Sequence, residues 1–112
     1  MTRVELAKDE HGVVVAFLVE GHAKFDNPGE DIVCAAISAI TQTALRGLLE
    51  YLETKPAYRH VEEEALIACS LVPGTSESDR EIARIILGTM ELGLREIEFL
   101  YDEYLTIEIR RC

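Results

Sequence analysis

The 112-residue sequence predicts one α+β domain, a two-layer fold in which two helices cover a mostly antiparallel sheet. Three observations lead to this fold class. Hydrophobic residues make up 48% of the chain, enough for a single core. Short β-type segments occur in pairs that are joined by turn residues, and two longer segments have apolar residues at helical spacing. No repeat or linker composition divides the chain, so we expect a single domain over residues 1–112 in the order β-β-α-β-β-α-β.

The first two strands are expected to form a hairpin. Arg3–Leu6 alternates polar and apolar residues, and Val13–Glu20 is rich in β-branched residues. Between them, Asp9–Gly12 has the composition of a tight turn, with glycine at the position that favours a positive φ. Residues 23–30 contain Asp, Asn, Pro and Gly, which predicts a loop.

The first helix is expected to begin at Asp31 and to end near Thr54–Pro56. Apolar residues recur at helical spacing from Ile32 to Leu52. Charged residues are nearly absent between Asp31 and Arg46, so we expect the first half of this helix to be enclosed on most sides. Asp31 is expected to cap the helix or to complement the positive end of its dipole.

Two further strands are expected at Tyr58–Val61 and Ala65–Val72, with Pro73-Gly74 closing this hairpin. The acidic run Glu62–Glu64 lies between them and is typical of a solvated turn or strand edge. A last strand is predicted at Tyr104–Arg110, where apolar and polar residues alternate.

The second helix is expected to start at a capping box, with Ser78 as the cap and Glu81 reaching back to it. Its spacing predicts an inward face made of Ile82, Ile85, Ile86, Met90, Ile97 and Leu100. Gly88 and Gly93 lower its helix propensity and are expected to permit close packing.

The composition argues against several functional classes. The net charge is −10, with 11 basic and 21 acidic residues, which disfavours nucleic acid and anionic membranes as partners. The longest apolar run, Val13–Val19, is shorter than the ~20 residues of a membrane span. Met1–Glu10 is polar and carries charges of both signs, unlike a signal peptide, so we expect a cytoplasmic protein. The acidic charge serves either solubility or a basic partner.

The cysteine and histidine content predicts free thiols and no metal or cofactor. The three cysteines are odd in number and far apart, which argues against a disulfide framework or a CxxC zinc site. Cys69 is expected to be buried and inert, and Cys112 to be open to non-specific reaction. His11, His22 and His60 have no recognisable metal-ligand spacing.

His22 and Cys34 are the strongest candidates for catalysis. If the helix begins at Asp31, Cys34 lies in its first turn, where unpaired backbone N–H groups and the helix dipole stabilise a thiolate. The same N–H groups could serve as an oxyanion hole. A neighbouring imidazole could form an ion pair with the thiolate and protonate a leaving amine. Spacing alone leaves open that Cys34 is a small core residue and that His22 is an ordinary surface residue.

Two sequence blocks narrow these alternatives. Gly21-His22-Ala23, followed by a short polar loop and by Asp31–Ser38 (DIVCAAIS), resembles the signature of the ribosomal-processing cysteine protease family. The resemblance implies that Cys34 is the nucleophile and His22 the base. It also implies removal of the N-terminal extension of a large-subunit ribosomal protein, a homodimer, and a flexible loop between the two catalytic residues.

Three other residues are expected to bind substrate or to support the dyad: Gly21, Asp31 and Ser38. Asp31 is the nearest acidic candidate for a third catalytic residue, although a capping role is equally open. Ser38 lies one turn beyond Cys34 and could bond near the site or to a helix carbonyl. Two other functions remain open at this point, namely a non-enzymatic ribosome-associated binding module in which Cys34 only packs, and a thiol-redox protein. The redox alternative lacks a resolving cysteine nearby.

Overall fold

The computed structural model describes the backbone of residues 1–21 and 28–112, and the side chains of all of these except 28–31. These residues form five strands, two long helices and one 3-10 turn, in the predicted order. The strands are β1 Thr2–Lys8, β2 Val14–Glu20, β3 Ala57–Val61, β4 Leu66–Ser70 and β5 Leu105–Arg111. The helices are α1 Pro28–Tyr51 and α2 Glu77–Leu100, and the 3-10 turn is Glu62–Glu64.

The sheet is mixed, with the strand order β3-β4-β2-β1-β5. Three of its neighbouring pairs are antiparallel, and β5 pairs with β1 in parallel. Both predicted hairpins are present, and Gly12 has the positive φ expected of the first turn. The second hairpin is closed by Glu62–Glu64 rather than by Pro73-Gly74, which instead connects β4 to α2. The α+β prediction is therefore confirmed.

One core holds the two layers together. The helices pack against each other and against strands β2, β4 and β5. Along β1, Thr2, Val4 and Leu6 alternate inward with half-exposed residues, as expected for a sheet covered on one face. The largest fully buried apolar side chains are Val4, Leu6, Val33, Ile37, Leu48, Leu52, Leu87 and Leu94.

Helix α1 begins three residues earlier than predicted. Proline fits the first turn of a helix, because its N–H would have no intrahelical partner there in any case, so the helix starts at Pro28. Asp31 is then the fourth helical residue and does not cap the helix, although its place in the first turn still suits the dipole. The predicted loop at 23–30 is wrong for residues 28–30, and its remainder lies outside the described residues.

The N-cap of α2 is Ser76 and not Ser78. Its hydroxyl accepts a hydrogen bond from the N–H of Asp79 at 3.1 Å. Glu81 does not reach back but pairs with Arg84 on the helix surface. The buried carboxylate of Asp79 instead accepts the backbone N–H of Thr54 at 2.9 Å and that of Glu53 at 3.2 Å. This contact joins the start of α2 to the chain just beyond α1.

The predicted inward face of α2 is only partly correct. Met90 and Ile97 are buried and Ile86 is half-buried, but Ile82, Ile85 and Leu100 are exposed. The buried face passes through Ala83, Leu87, Met90, Leu94 and Ile97. Both the predicted face and the observed face have helical spacing. The prediction is wrong about which side of α2 faces the core. Gly93 does permit close packing, because a Cβ atom there would lie 3.2 Å from Cδ1 of Ile40.

Helix α1 is also more open than predicted. Ile32 is 66% exposed, and Ala35 and Ala39 face solvent as well. By length and composition, residues 32–51 could cross a membrane. The core helix of a soluble domain passes the same test, and here the helix packs against α2.

Candidate active site

Cys34 lies on α1 at the end of the sheet where β2 ends and β4 begins. Its side chain is half-buried, so the thiol is partly screened from water and still reachable from outside. A Cβ atom placed on Gly21 would lie 3.3 Å from the Sγ atom of Cys34, so the thiol sits directly against Gly21. The fold therefore brings Cys34 to the residue that precedes His22 in the chain.

Gly21 is confined by its neighbours on the sheet. Its N–H donates to the carbonyl of Ala65 at 3.0 Å, which extends the β2–β4 pairing by one step. A Cβ atom on Gly21 would lie only 3.0 Å from the Cβ atom of Ala65, in addition to its contact with Cys34. Glycine is thus favoured here by close approach and not by its backbone angles, since any Cβ atom would have to displace Ala65 or Cys34 slightly.

Ala65 has a backbone conformation that alanine rarely adopts. Its φ is 49° and its ψ is 44°, in the left-handed region, which costs an L-residue roughly 1–2 kcal/mol. Its N–H donates to the carbonyl of Glu62 at 3.1 Å, which closes the turn between β3 and β4. Sequence reasoning missed this residue, because an alanine after three glutamates carries no signal of a left-handed turn.

The earlier start of α1 changes the surroundings expected for Cys34. Cys34 is the seventh residue of the helix and not part of its first turn. In a regular α-helix the N–H of residue 34 donates to the carbonyl of residue 30, and the effect of the dipole falls off within the first turn. The helix terminus is therefore a weaker source of activation than the sequence suggested, and its free N–H groups do not form an oxyanion hole at Cys34 itself.

The structure describes the side chains of only some of the other predicted site residues. The side chains of His22 and Asp31 lie outside the described part of the structure. Ser38 is half-buried, one turn beyond Cys34 on α1. Its carbonyl accepts the hydroxyl of Thr41 at 3.4 Å, and among the described residues its own hydroxyl has no hydrogen-bond partner.

The remaining cysteines differ from Cys34 in their access to solvent. Cys69 is 3% exposed on β4, which confirms that it is buried, and burial raises its pKa to about 12, which favours the predicted inertness. Cys112 is exposed at the C-terminus. All three cysteines are free thiols. Among the described side chains, those of residues 1–21 and 32–112, no group of three or more His, Cys, Asp or Glu could hold a metal ion.

Comparison with known proteins identifies the family. The sequence profile described as Cysteine protease Prp matches residues 1–106. The ribosomal processing cysteine protease Prp of Staphylococcus aureus is 24% identical over 110 residues, which cover 98% of this chain and 100% of that protein. The protein of the same name from Bacillus subtilis is 22% identical over 107 residues, which cover 96% of each chain.

Solved structures have the same fold. Prp from S. aureus in complex with a substrate peptide has a TM-score of 0.85 at 24% identity, covering 98% of this chain and 100% of that chain. The same enzyme with a covalently linked product peptide has a TM-score of 0.81 at 25% identity, with the same coverage. A Streptococcus mutans protein has a TM-score of 0.84 at 21% identity, covering 100% of this chain and 96% of that chain. Because the family profile spans nearly the whole sequence, the chain belongs to the cysteine protease Prp family and is a cysteine protease.

Proposed function

We propose that this enzyme removes the N-terminal extension of a large-subunit ribosomal protein, with Cys34 as nucleophile and His22 as base. The observation that carries the proposal is the contact between the Sγ atom of Cys34 and Gly21, the residue before His22. The relatives support it, since they are named ribosomal processing proteases and one is known with a substrate peptide and with a covalently linked product peptide.

In the proposed reaction, the thiolate of Cys34 attacks the carbonyl carbon of the scissile peptide bond. A C–S bond forms as the C–N bond breaks, and the imidazolium of His22 gives its proton to the leaving amine. Water, deprotonated by His22, then attacks the thioester. This step releases the carboxylate product and restores the thiol. With the helix terminus of α1 removed from Cys34, the imidazole is the main activating group in this mechanism.

The supporting residues have separate proposed roles. Gly21 leaves room for the thiol, as its contacts indicate. The hydroxyl of Ser38 is placed one helical turn from Cys34 to bond substrate or the dyad. Asp31, in the first turn of α1, is proposed to act through charge at the helix start or on the imidazole.

The charge of the protein suits a basic ribosomal substrate. The net charge is −10, and the exposed glutamates Glu62–Glu64 immediately precede Ala65 beside Cys34. Opposite charges on enzyme and substrate speed the encounter, and a negative surface disfavours RNA. We expect cleavage in the cytoplasm, without direct binding to nucleic acid or membrane.

We also propose a homodimer formed through the outer face of the helices. A groove between α1 and α2 is lined mainly by apolar and small residues, among them Ile40, Gly47 and Tyr51. Beside it, α2 presents Ile85, Leu92 and Phe99, which are 57%, 73% and 83% exposed. Their seven-residue spacing is that of a helix-pairing seam, and a second copy would bury it.

The homodimer is tested by analytical ultracentrifugation of an Ile85→Glu variant. We expect the parent protein to be a dimer and the variant to be a monomer. The dimer would bury the carboxylate introduced at position 85 without a partner, which is costly. Ile109→Glu, which changes an exposed apolar residue on β5, is the matched control and should remain a dimer. A monomeric parent protein, or a dimeric Ile85→Glu variant, would contradict this interface.

The protease proposal is tested with a peptide that contains the N-terminal extension and the first residues of the mature large-subunit ribosomal protein. We expect single-site cleavage by the parent protein, none by Cys34→Ala, and a loss of about 100-fold or more in His22→Ala. Cys112→Ser controls for the exposed thiol and should cleave normally. Cleavage by Cys34→Ala would refute the nucleophile, and binding of the peptide without cleavage by the parent protein would favour the binding-module alternative.

A further inference from the structure

We infer that Ala65 is a positioning residue for the nucleophile: its left-handed backbone holds its methyl group beside the thiol of Cys34, across Gly21. This inference rests on the proposed role of Cys34. It assigns a function to a residue of the β3–β4 turn, far from the dyad in the sequence. It also explains why an alanine occupies a backbone conformation that suits glycine better.

Ala65 and Cys34 share the space above Gly21. The Cβ atom of Ala65 and the Sγ atom of Cys34 lie 3.0 Å and 3.3 Å from the point where a Cβ atom on Gly21 would be. The side chain missing from Gly21 thus leaves a small space that the methyl group and the thiol border together. A thiol that moves into this space approaches the methyl group of Ala65.

Backbone hydrogen bonds hold the methyl group of Ala65 in place. The N–H of Ala65 donates to Glu62 at 3.1 Å, and its carbonyl accepts the N–H of Gly21 at 3.0 Å. Residue 65 therefore has both backbone groups engaged, one in the turn and one in the sheet. The methyl group cannot shift away from the thiol without loss of a hydrogen bond.

Position 65 differs from the other left-handed positions in carrying a side chain. Among the described residues, the other positions with positive φ are Gly12 and Gly74, and a Cβ atom on either would meet nothing within 4 Å. Glycine is thus used at the two left-handed positions with open space above them. Ala65 is the one non-glycine residue with positive φ in the described part of the chain, and its Cβ atom borders the same space as the thiol of the candidate nucleophile.

The test compares Ala65→Gly with Ala65→Ser in a Cys112→Ser background. Glycine suits the left-handed backbone, so Ala65→Gly should fold with a Tm no lower than that of the parent protein. We expect its kcat on the extension peptide to fall about fivefold or more while KM changes less than about twofold. Its rate of Cys34 alkylation by iodoacetamide at about pH 6 should fall at least about threefold, because the thiol is no longer held at its activating partner.

Two controls separate positioning from a general effect. Ala65→Ser keeps the Cβ atom and should retain the kcat and alkylation rate of the parent protein. Ala57→Gly makes the same chemical change at an exposed position on β3, and it should leave both rates unchanged. An Ala65→Gly variant with the kcat and the alkylation rate of the parent protein would overturn the inference. An Ala65→Ser variant whose kcat and alkylation rate fall as far as those of Ala65→Gly would also overturn it.

A double-mutant cycle tests the shared space directly. Gly21→Ala adds a methyl group that meets both Ala65 and Cys34, and Ala65→Gly removes the closer of these contacts. The double variant should therefore be about fivefold or more faster in kcat than Gly21→Ala alone. Additive losses would contradict the inference.

The failure of this inference is distinguishable from failure of the proposed function. Cleavage of the peptide by Cys34→Ala would refute the proposed nucleophile and the inference with it. An inactive Cys34→Ala variant beside an unimpaired Ala65→Gly variant would leave the nucleophile standing and refute only the role of Ala65.

Discussion

The Sγ atom of Cys34 lies 3.3 Å from the position that a Cβ atom on Gly21 would occupy, which is tighter than an ordinary van der Waals contact. Helix α1 supplies the cysteine, and the glycine directly follows strand β2, so the contact links the two layers at the end of the sheet. The position of the thiol is therefore sensitive to any atom added at residue 21.

Gly21→Ala is expected to lower kcat by about tenfold or more, because the added methyl group displaces the thiol or the turn at Ala65. The measurement is steady-state cleavage of the extension peptide, with folding checked by circular dichroism. Gly88→Ala on α2 is the matched control, because a Cβ atom there meets nothing within 4 Å. That control should keep full activity and gain up to about 1 kcal/mol of stability from helix propensity. Equal activity of Gly21→Ala and the parent protein would show that the contact does not constrain the thiol.

Iodoacetamide is expected to label Cys34 and Cys112 in the native protein and to leave Cys69 unlabelled. Burial of Cys69 raises its pKa to about 12, so little thiolate exists there at about pH 8, and the strand also blocks access. Peptide mapping by mass spectrometry measures the label at each cysteine. In guanidinium chloride all three cysteines should react, which serves as the control. Native labelling of Cys69 at the rate of Cys112 would contradict the burial of this strand.

Asp79→Ala is expected to destabilise the protein by about 3 kcal/mol, because two backbone N–H groups lose a buried, charged acceptor. These are the N–H groups of Glu53 and Thr54, just beyond the end of α1. Guanidinium unfolding measures the loss. Asp102→Ala, at an exposed aspartate after α2, is the control and should change stability by less than about 0.5 kcal/mol. If Asp79→Ala also lowered the free energy of unfolding by less than about 0.5 kcal/mol, the contact between α2 and residues 53–54 would contribute little to stability.

Acid is expected to weaken the first hairpin through Asp9. Its carboxylate accepts the N–H of Val13 at 3.0 Å and that of His11 at 2.8 Å, and these bonds hold its pKa below the ordinary value of 3.8. A lowered pKa in the folded state stabilises the protein above the unfolded pKa, and that stability is lost as pH falls through the folded pKa. The Tm advantage of the parent protein over Asp9→Ala should therefore be complete at about pH 6 and shrink below about pH 4. A Tm difference that is independent of pH would contradict this role.

Much of the architecture could be predicted from local patterns. Alternation and turn chemistry place the hairpin β1–β2 correctly, and the positive φ of Gly12 confirms the predicted turn. Helical spacing finds both helices but does not specify which side of each helix faces the core. The exposed Ile82 and Ile85 and the buried Ala83 and Leu87 are both pairs at helical spacing. The starts of α1 and α2 were misplaced because more than one residue at each start can cap or enter a helix.

By itself, the sequence determined the fold class, the order of the elements and the candidate dyad of Cys34 and His22, because periodicity, turn composition and a short motif are local properties of the chain. Only the tertiary structure decided that β5 pairs in parallel with β1, that Cys34 lies in the second turn of α1, and that its thiol and Ala65 both approach Gly21. These features depend on distances between residues far apart in the chain. Such distances are set by how the two layers pack, and no local pattern records them.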